Sequence, residues 1–148
     1  MVCLGNICRS PMAEGLLRDR VNKQRLDVVT DSAGTSSFHI GEKPDSRMIA
    51  AARQNGIDIS DLRARQFQSS DFDEFDLIFA MDGSNYENIL ALARNESDKQ
   101  KVRLILNESH PGMNMEVPDP YYGGDEGFQQ VINLLSDAVD ELVDKLSV

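Results

Sequence analysis

Short apolar stretches rich in strand-forming residues alternate with helical patterns along this chain, and no other feature constrains its fold as strongly. Four stretches are predicted as strands: "MVCL" at the start, "LDVVTDSA" from Leu26, "FDLIFAMD" from Phe75 and "KVRLIL" from Lys101. Continuous apolar runs of this kind are typical of strands that are covered on both faces. Their alternation with helices predicts an α/β fold around a parallel sheet with right-handed crossovers.

The segments between these stretches predict four helices. Ser10 is the predicted N-cap of the first helix, with Pro11 in its first turn. The other helices are predicted from Asp45 to a terminating Gly56, after a cap at Ser84, and from about Asp125 to the end. Because ligands of parallel α/β sheets bind beyond the carboxyl ends of the strands, the loop after the first strand is a natural site.

Composition argues against several classes of protein. The chain has 148 residues, which suits one domain spanning residues 1–148, and its net charge of −10 without a basic face argues against nucleic acid as a partner. No apolar run could span a bilayer and no leader pattern is visible, so we expect a soluble cytoplasmic protein without a membrane partner. Two cysteines and two histidines without ligand spacing predict neither a metal site nor a cofactor.

The loop from Cys3 to Arg9 has the composition of an anion site. Gly5 and Asn6 tolerate backbone angles that other residues avoid, so the loop can turn tightly and direct amide groups inward. Such amides bind anions together with the start of the next helix, and the Arg9 guanidinium matches two oxygens of a phosphate. A thiolate at Cys3 beneath that phosphate would be an in-line nucleophile. The alternative is that Cys3 is a small core residue at the end of a strand.

A second loop, "VPDPYYGG", presents a single carboxyl group. Pro118 and Pro120 flank Asp119, and the proline after Asp119 biases that residue away from helical angles, which stiffens the loop. Tyr121 and Tyr122 follow and can wall an aromatic slot. The loop comes after the fourth predicted strand, at the edge of the sheet where the first loop should lie, so Asp119 is the candidate proton donor. The alternative is a proline turn with two surface tyrosines.

Together these motifs resemble the low-molecular-weight protein tyrosine phosphatase family. "VCLGNICRSPMAE" matches the family's phosphate loop and "PDP" followed by tyrosines matches its general-acid loop, with "DSAGT", "ARQ" and "DLIFAMDGSN" between them in the family's order. The resemblance implies a three-layer, flavodoxin-like fold with a four-stranded parallel sheet. Only Met1 and Val2 precede Cys3, whereas the family's first strand is several residues longer. We therefore expect an unusually short first strand and a stability lower by about a few kcal/mol.

The resemblance further implies metal-free hydrolysis of phosphotyrosine through a phosphocysteine. Cys3 would be the nucleophile, Arg9 would bind the phosphate and the transition state, and Asp119 would protonate the leaving group and then activate water. The residues implied for the phosphate loop and its support are Leu4, Gly5, Asn6, Ile7, Cys8, Ser10 and Ser32. The residues implied for the cleft wall are Phe38, Tyr121 and Tyr122.

Some of these residues have specific implied roles. Ser10 would support the thiolate as a leaving group, and Asn6 would hold the shape of the loop with Ser32 as its partner. In the family, a cysteine at the position of Cys8 can form a reversible disulfide with the nucleophile, which protects Cys3 from further oxidation. The alternative is that Cys8 is only a small buried residue.

Three other functions share parts of this pattern. A protein-arginine-phosphate phosphatase typically has threonine where this chain has Ile7, and an apolar side chain there suits an aromatic ring better. A thioredoxin-coupled arsenate reductase needs further cysteines beyond Cys8. A non-catalytic phosphate-binding module would keep the loop without needing both Cys3 and Asp119. The expected partner is a tyrosine-phosphorylated protein, with a bacterial tyrosine kinase as one candidate, and the expected state is a monomer or weak dimer.

Overall fold

A computed structural model describes residues 1–147 and arranges them as a sheet with helices on both faces. The strands are β1 (Val2–Cys3), β2 (Ala33–Gly34), β3 (Ile78–Ala80) and β4 (Val102–Leu104). The α-helices are α1 (Arg9–Gln24), α2 (Ser46–Gln54), α3 (Asp71–Glu74), α4 (Gly83–Leu90), α5 (Glu96–Gln100) and α6 (Asp125–Leu146). A short 3-10 turn, Ile105–Asn107, follows β4.

The four strands form a parallel sheet in the order β2-β1-β3-β4, which confirms the predicted sheet. The two-residue β1 is as short as expected and lies inside the sheet. Val2 of β1 pairs with Ala33 on one side and Ala80 on the other. Since the chain runs from β1 to one neighbour and later returns to its other side, the carboxyl ends of β1 and β3 border a crevice suited to a ligand.

Strand side chains alternate between two apolar cores, as expected for a sheet covered on both faces. On one face, Cys3 and Phe79 pack with residues of α1, α2 and α6. On the other face, Val2 and Ile78 pack with Phe72 of α3 and with residues of α4. The fold is therefore three-layered, as the sequence predicted.

The predicted strand from Leu26 is wrong over residues 26–32. Only Ala33 and Gly34 join the sheet, whereas residues 26–32 are irregular and Val29 is 82% exposed. The strand β1 pairs with β2 through two residues only, so the residues before Ala33 have no strand beside them with which to form a ladder.

Two helix predictions are confirmed by the cap geometry and the burial. The side chain of Asp45 caps α2 by accepting a hydrogen bond from the Arg47 amide at 2.9 Å, and Gly56 follows the end of that helix with a positive φ of 78°. The apolar stripe of α6 is buried against the core. Neither α6 nor any other helix within residues 1–147 is long and apolar enough to cross a membrane.

Two predicted N-caps are wrong, and α3 and α5 are additional short helices. The helix α1 begins two residues earlier than predicted, at Arg9, so Ser10 lies inside its first turn and its hydroxyl is free to turn toward the opening loop. In α4 the cap is Asp82 rather than Ser84, because the Asp82 carboxylate accepts from the Asn85 amide at 2.8 Å. Both differences place a polar side chain at the carboxyl edge of the sheet.

Backbone hydrogen bonds bring the distant second loop to this edge. The Met81 amide donates to the Val2 carbonyl at 3.1 Å, and the Val117 amide donates to the Met81 carbonyl at 2.9 Å. The segment around residue 117 therefore lies next to the end of β3, beside the opening loop.

Candidate active site

The opening loop reverses direction directly above the end of β1. Cys3, the last residue of β1, is 3% exposed, and Asn6 adopts a left-handed backbone with a φ of 57°. Asparagine tolerates that region better than most residues. The reversal lets the Asn6 amide donate to Cys3 Sγ at 3.2 Å. Among the described residues, the amides of residues 7–8 have no backbone acceptor, which leaves them for an anion.

The side chain of Asn6 locks this loop from below. Its Nδ2 donates to Ser10 Oγ at 2.7 Å and to Ser32 Oγ at 3.0 Å, while its Oδ1 accepts from the Arg65 amide at 3.1 Å. Ser10 Oγ in turn lies 3.0 Å from Cys3 Sγ. Because both hydrogens and the oxygen of the Asn6 amide are used, the network leaves this side chain one orientation.

Glu14 ends the network and was missed by the sequence analysis. The Ser32 hydroxyl donates to Glu14 Oε1 at 2.6 Å, so its oxygen must accept from Asn6. Burial raises the pKa of Glu14, and the hydrogen bond from Ser32 partly opposes that shift. The signal that could have revealed Glu14 is its spacing, one helical turn after Ser10 on α1.

Arg9 is held in one position by groups from two distant segments. Its Nη1 donates to Asp82 Oδ2 at 2.7 Å and to the Val117 carbonyl at 3.1 Å, while its Nη2 lies 3.6 Å from Asp119 Oδ2. Burial alone would lower the pKa of Arg9, but its hydrogen bond to the Asp82 carboxylate and the nearby anionic groups raise it. The guanidinium is therefore a fixed positive charge.

Asp82 is a second residue that the sequence analysis missed. One carboxylate oxygen holds Arg9 and the other caps α4, so the helix start and the guanidinium fix each other. Asp82 could have been predicted from its position, because it is the polar residue at the end of the predicted strand "FDLIFAMD" and ligands bind at that edge of a parallel sheet.

Gly34 supports the loop from the side. A Cβ atom at this position would lie 2.8 Å from the Leu4 carbonyl oxygen and 3.1 Å from the Asn6 amide nitrogen. Both atoms belong to the backbone, so neither can move without moving the loop. The loop therefore needs glycine here because of a close approach, and not because of an unusual φ.

These elements enclose a cavity of about 360 Å³. Its lining contains Cys3, Leu4, Gly5, Ile7, Cys8, Arg9, Ser36, Phe38, His39, Asp119, Tyr121 and Tyr122. The structure thus brings together most of the sequence-predicted site residues, while Asn6, Ser10 and Ser32 lie beneath the loop instead of on the cavity wall. Within residues 1–147, no three His, Cys, Asp or Glu side chains are grouped so that they could hold a metal ion.

The rim of the cavity is aromatic and open to water. Phe38 is 81% exposed and Tyr122 is 93% exposed, while Tyr121 is less exposed and its ring meets that of Tyr122 edge to face. The carboxylate of Asp119 accepts from the Tyr121 amide at 3.1 Å, which holds it toward the cavity side of its loop. Apolar rings around a cationic floor suit a ligand that carries an anion on an aromatic group.

Cys8 is a free thiol that lines the cavity and, like Cys3, also packs in the core. It is 4% exposed and lies at the N-terminus of α1. Burial raises the pKa of the Cys8 thiol strongly, and the nearby carboxylate of Asp45 raises it further. Cys8 therefore remains protonated across the neutral range.

Comparison with known proteins places this geometry among phosphatases. A family model described as low molecular weight phosphotyrosine protein phosphatase matches residues 1–148. A low molecular weight phosphotyrosine protein phosphatase of Schizosaccharomyces pombe is 46% identical over 130 residues, which cover 86% of this chain and 82% of the relative.

Solved structures show the same architecture. A protein tyrosine phosphatase from Entamoeba histolytica, solved with Hepes in its active site, superposes with a TM-score of 0.92 at 44% identity and covers 99% of this chain and 94% of its own. The Wzb protein of Vibrio vulnificus, solved in complex with benzylphosphonate, superposes with a TM-score of 0.85 at 27% identity over 97% of this chain and 94% of its own.

We predict that Gly34→Ala displaces the opening loop. The added Cβ would meet two backbone atoms, and overpacking of this kind costs about 1–3 kcal/mol. The melting temperature should fall, and the affinity for inorganic phosphate should fall with it. Gly127→Ala is the control, since a Cβ there makes only ordinary contact with Pro120. Unchanged phosphate affinity in Gly34→Ala would show that the loop does not depend on this approach.

We also predict that Cys8 resists alkylation in the folded protein and opposes folding at high pH. Because burial raises the pKa of the Cys8 thiol in the folded state, the unfolded chain ionises this thiol at a lower pH than the folded protein does. The contribution of the thiol to the free energy of unfolding is therefore complete below the unfolded pKa and is lost as pH rises above the unfolded pKa. By pH 10 the loss should be about 1–2 kcal/mol. Denaturant unfolding at pH 7 and pH 10 should therefore show a smaller decrease for Cys8→Ala than for the parent. Rapid labelling of folded Cys3→Ser by iodoacetamide at pH 7 would contradict the prediction.

Proposed function

The chain belongs to the low molecular weight phosphotyrosine protein phosphatase family, as its motifs predicted, and we propose that it hydrolyses phosphotyrosine through a covalent phosphocysteine. One observation carries the proposal: Cys3, Arg9 and Asp119, far apart in the sequence, line a single cavity. A thiol, a fixed guanidinium and a carboxyl group are the nucleophile, anion-binding group and proton donor that this reaction needs.

In the first step, the Cys3 thiolate attacks phosphorus in line with the bond to the tyrosine oxygen. The sulfur–phosphorus bond forms while the phosphorus–oxygen bond breaks, and the protonated carboxyl group of Asp119 gives its proton to the departing oxygen. The Asn6 amide donates to Cys3 Sγ at 3.2 Å. The Ser10 hydroxyl, 3.0 Å from the sulfur and 3.3 Å from the Ala33 carbonyl, donates to the sulfur when it is a thiolate, because a thiolate can only accept. These donors support a thiolate at the floor of the cavity before attack.

In the second step, a water molecule attacks the phosphorus of the phosphocysteine. The Asp119 carboxylate, now deprotonated, accepts a proton from this water, and the sulfur–phosphorus bond breaks to release inorganic phosphate and the Cys3 thiolate. The hydrogen bond from Ser10 again stabilises the departing sulfur. Apart from this water molecule, every group used in the two steps is a side chain or backbone group of this protein.

Arg9 stabilises the charge that develops on the phosphoryl oxygens. Its Nη1 is occupied by Asp82 and the Val117 carbonyl, so the guanidinium plane is set before substrate enters. In the described residues, its Nε and Nη2 make no hydrogen bond and are available as a two-pronged donor. A donor already oriented costs no reorganisation when the transition state forms.

The cavity wall supports an aromatic phosphomonoester as the substrate. Ile7 and the rings of Phe38, Tyr121 and Tyr122 give the entrance an apolar surface. Benzylphosphonate, the ligand of the Vibrio vulnificus relative, carries its phosphonate on a benzyl group and fits the same chemistry. A guanidinium-linked phosphate would gain less from Ile7, so phosphotyrosine is favoured over phosphoarginine.

The proposed macromolecular substrate is a tyrosine-phosphorylated protein. Solved relatives include Wzb proteins of Vibrio vulnificus and Escherichia coli. A bacterial tyrosine kinase remains one candidate partner, and the net charge of −10 would repel strongly acidic peptides at long range.

The substrate and the covalent intermediate can be tested together. We expect phosphate release from phosphotyrosine peptides in the presence of a chelator, at least tenfold faster than from matched phosphoarginine peptides. Rapid quenching should trap a phosphorylated peptide containing Cys3, and Cys3→Ser should release no phosphate. Vanadate binding without turnover by the parent protein would instead indicate a non-catalytic phosphate-binding module.

Asp119→Ala should slow hydrolysis while sparing phosphate binding. Loss of a positioned acid costs about 10²–10⁴-fold in rate, and most for a poor leaving group such as tyrosine. Affinity for inorganic phosphate should change little, because Asp119 Oδ2 stands 3.6 Å from the Arg9 guanidinium and is not the group that fixes it. Asp137→Ala, at an exposed position of α6, is the matched control. An unchanged rate on phosphotyrosine would remove Asp119 from the mechanism.

A further inference from the structure

We propose that Arg47 is a positioning residue that aligns the proton donor Asp119 with the nucleophile loop. This proposal rests on the proposed function and adds to it a residue that does not touch the reacting atoms. Arg47 lies in the first turn of α2, outside the cavity, and its side chain is 39% exposed. Its contacts nevertheless join the loop that carries the proton donor to the loop that carries the nucleophile.

On one side, Arg47 holds the residue that holds Asp119. Its Nη2 donates to the Tyr121 carbonyl at 3.0 Å, and its guanidinium lies 5.6 Å from the centre of the Tyr121 ring. The Tyr121 amide donates to Asp119 Oδ1 at 3.1 Å. A displacement of Tyr121 would therefore be passed directly to the carboxyl group.

Few other hydrogen bonds fix this loop. Among the described residues, the hydrogen bond from Arg47 is the one that joins residues 118–123 to another part of the chain. The remaining hydrogen bonds of this segment are internal, from Tyr121 to Asp119 and from Gly123 to the Pro120 carbonyl. Besides the Arg9–Asp119 ion pair at 3.6 Å and the burial of Pro120, the position of the loop therefore depends on this one hydrogen-bonding side chain.

On the other side, Arg47 is bound to the nucleophile loop through Asp45. Its Nε and Nη2 donate to the two carboxylate oxygens of Asp45 at 3.0 and 2.9 Å, and the Asp45 amide donates to the Ile7 carbonyl at 2.8 Å. The hydrogen bonds from Arg47 lower the pKa of Asp45, so this carboxylate remains charged. The path from Ile7 to Tyr121 therefore consists of short, directional contacts.

A third contact fixes the plane of the guanidinium. Arg47 lies 4.8 Å from the centre of the ring of Phe128, which is 1% exposed on α6. A guanidinium that stacks on a ring and binds a carboxylate through two nitrogens is held in one orientation. The ammonium group of lysine cannot make both contacts and would not be oriented in this way. Lysine should therefore not replace arginine here, although it would keep the charge.

The kinetic signature of a misplaced acid differs from that of a damaged fold. Transfer of the proton from Asp119 matters most when the leaving oxygen is strongly basic and little when it is a good leaving group. Loss of Arg47 should therefore make the rate depend more steeply on the pKa of the leaving phenol. A merely structural defect would lower all rates alike and would weaken phosphate binding.

The test compares Arg47→Met and Arg47→Lys with the parent on a series of aryl phosphates. For phosphotyrosine, kcat/KM should fall about 10–100-fold in both variants, part of the full contribution of a positioned acid. For p-nitrophenyl phosphate it should fall less than about threefold, and the inhibition constant of inorganic phosphate should stay within about twofold. Arg53→Met is the control, since Arg53 lies exposed on the same helix and its side chain makes no hydrogen bond within residues 1–147.

A double variant decides whether Arg47 acts through Asp119. If it does, Arg47→Met should not lower kcat/KM for phosphotyrosine any further when Asp119 is already alanine. The coupling energy of the double-mutant cycle would then equal the whole effect of the single Arg47→Met substitution. An equal loss on every substrate, rescue by lysine, or a full additional loss in the double variant would overturn the proposal. If Asp119→Ala alone has no effect on phosphotyrosine, the proposed function fails first, and the two failures are thus distinguished.

Discussion

The structure depends on one asparagine in a left-handed conformation. Asn6 turns the chain back over the end of β1. Its side-chain nitrogen and oxygen are both hydrogen-bonded to the residues that surround this turn. An unpaired polar atom in this buried place would cost about 1–3 kcal/mol, so a single alternative side chain cannot easily replace it. The positions of Cys3 and Arg9, on either side of this turn in the sequence, follow from it, since only five residues separate them.

The second constraint is the edge at which parallel strands end. The sequence places Cys3 and Asp119 more than a hundred residues apart, yet the sheet brings the segments after β1, β3 and β4 to one side. The ladder from Val2 through Met81 to Val117 joins them by backbone bonds, which do not depend on side-chain identity. Chemistry that differs between relatives can therefore be carried by the loops, while the frame that presents them stays the same.

Local patterns were sufficient to predict the parallel sheet and the candidates Cys3, Arg9 and Asp119, because alternation and turn chemistry are properties of neighbouring residues. Other residues of the cavity wall, such as Ile7 and Phe38, were implied only by the family resemblance, and Ser36 and His39 were missed. The errors concern contacts between distant residues. Residues 26–32 have strand propensity, but no strand lies beside them. Ser10 looks like a helix cap until a partner from β1 competes for its hydroxyl. Asp82 and Glu14 accept hydrogen bonds from residues that are distant in the sequence, Arg9 and Ser32, so their roles can be recognised only once the fold is known.

The exposed rings of Phe38 and Tyr122 have a thermodynamic consequence. Both rings are largely exposed to water at the rim of the cavity, and a ring-bearing ligand would remove water from them as well as from itself. Removal of apolar surface from water lowers the heat capacity of a system, whatever the balance of enthalpy and entropy at one temperature. The affinity of this cleft for an aromatic phosphate should therefore vary along a curved van't Hoff plot, while that for inorganic phosphate should vary along a nearly straight one.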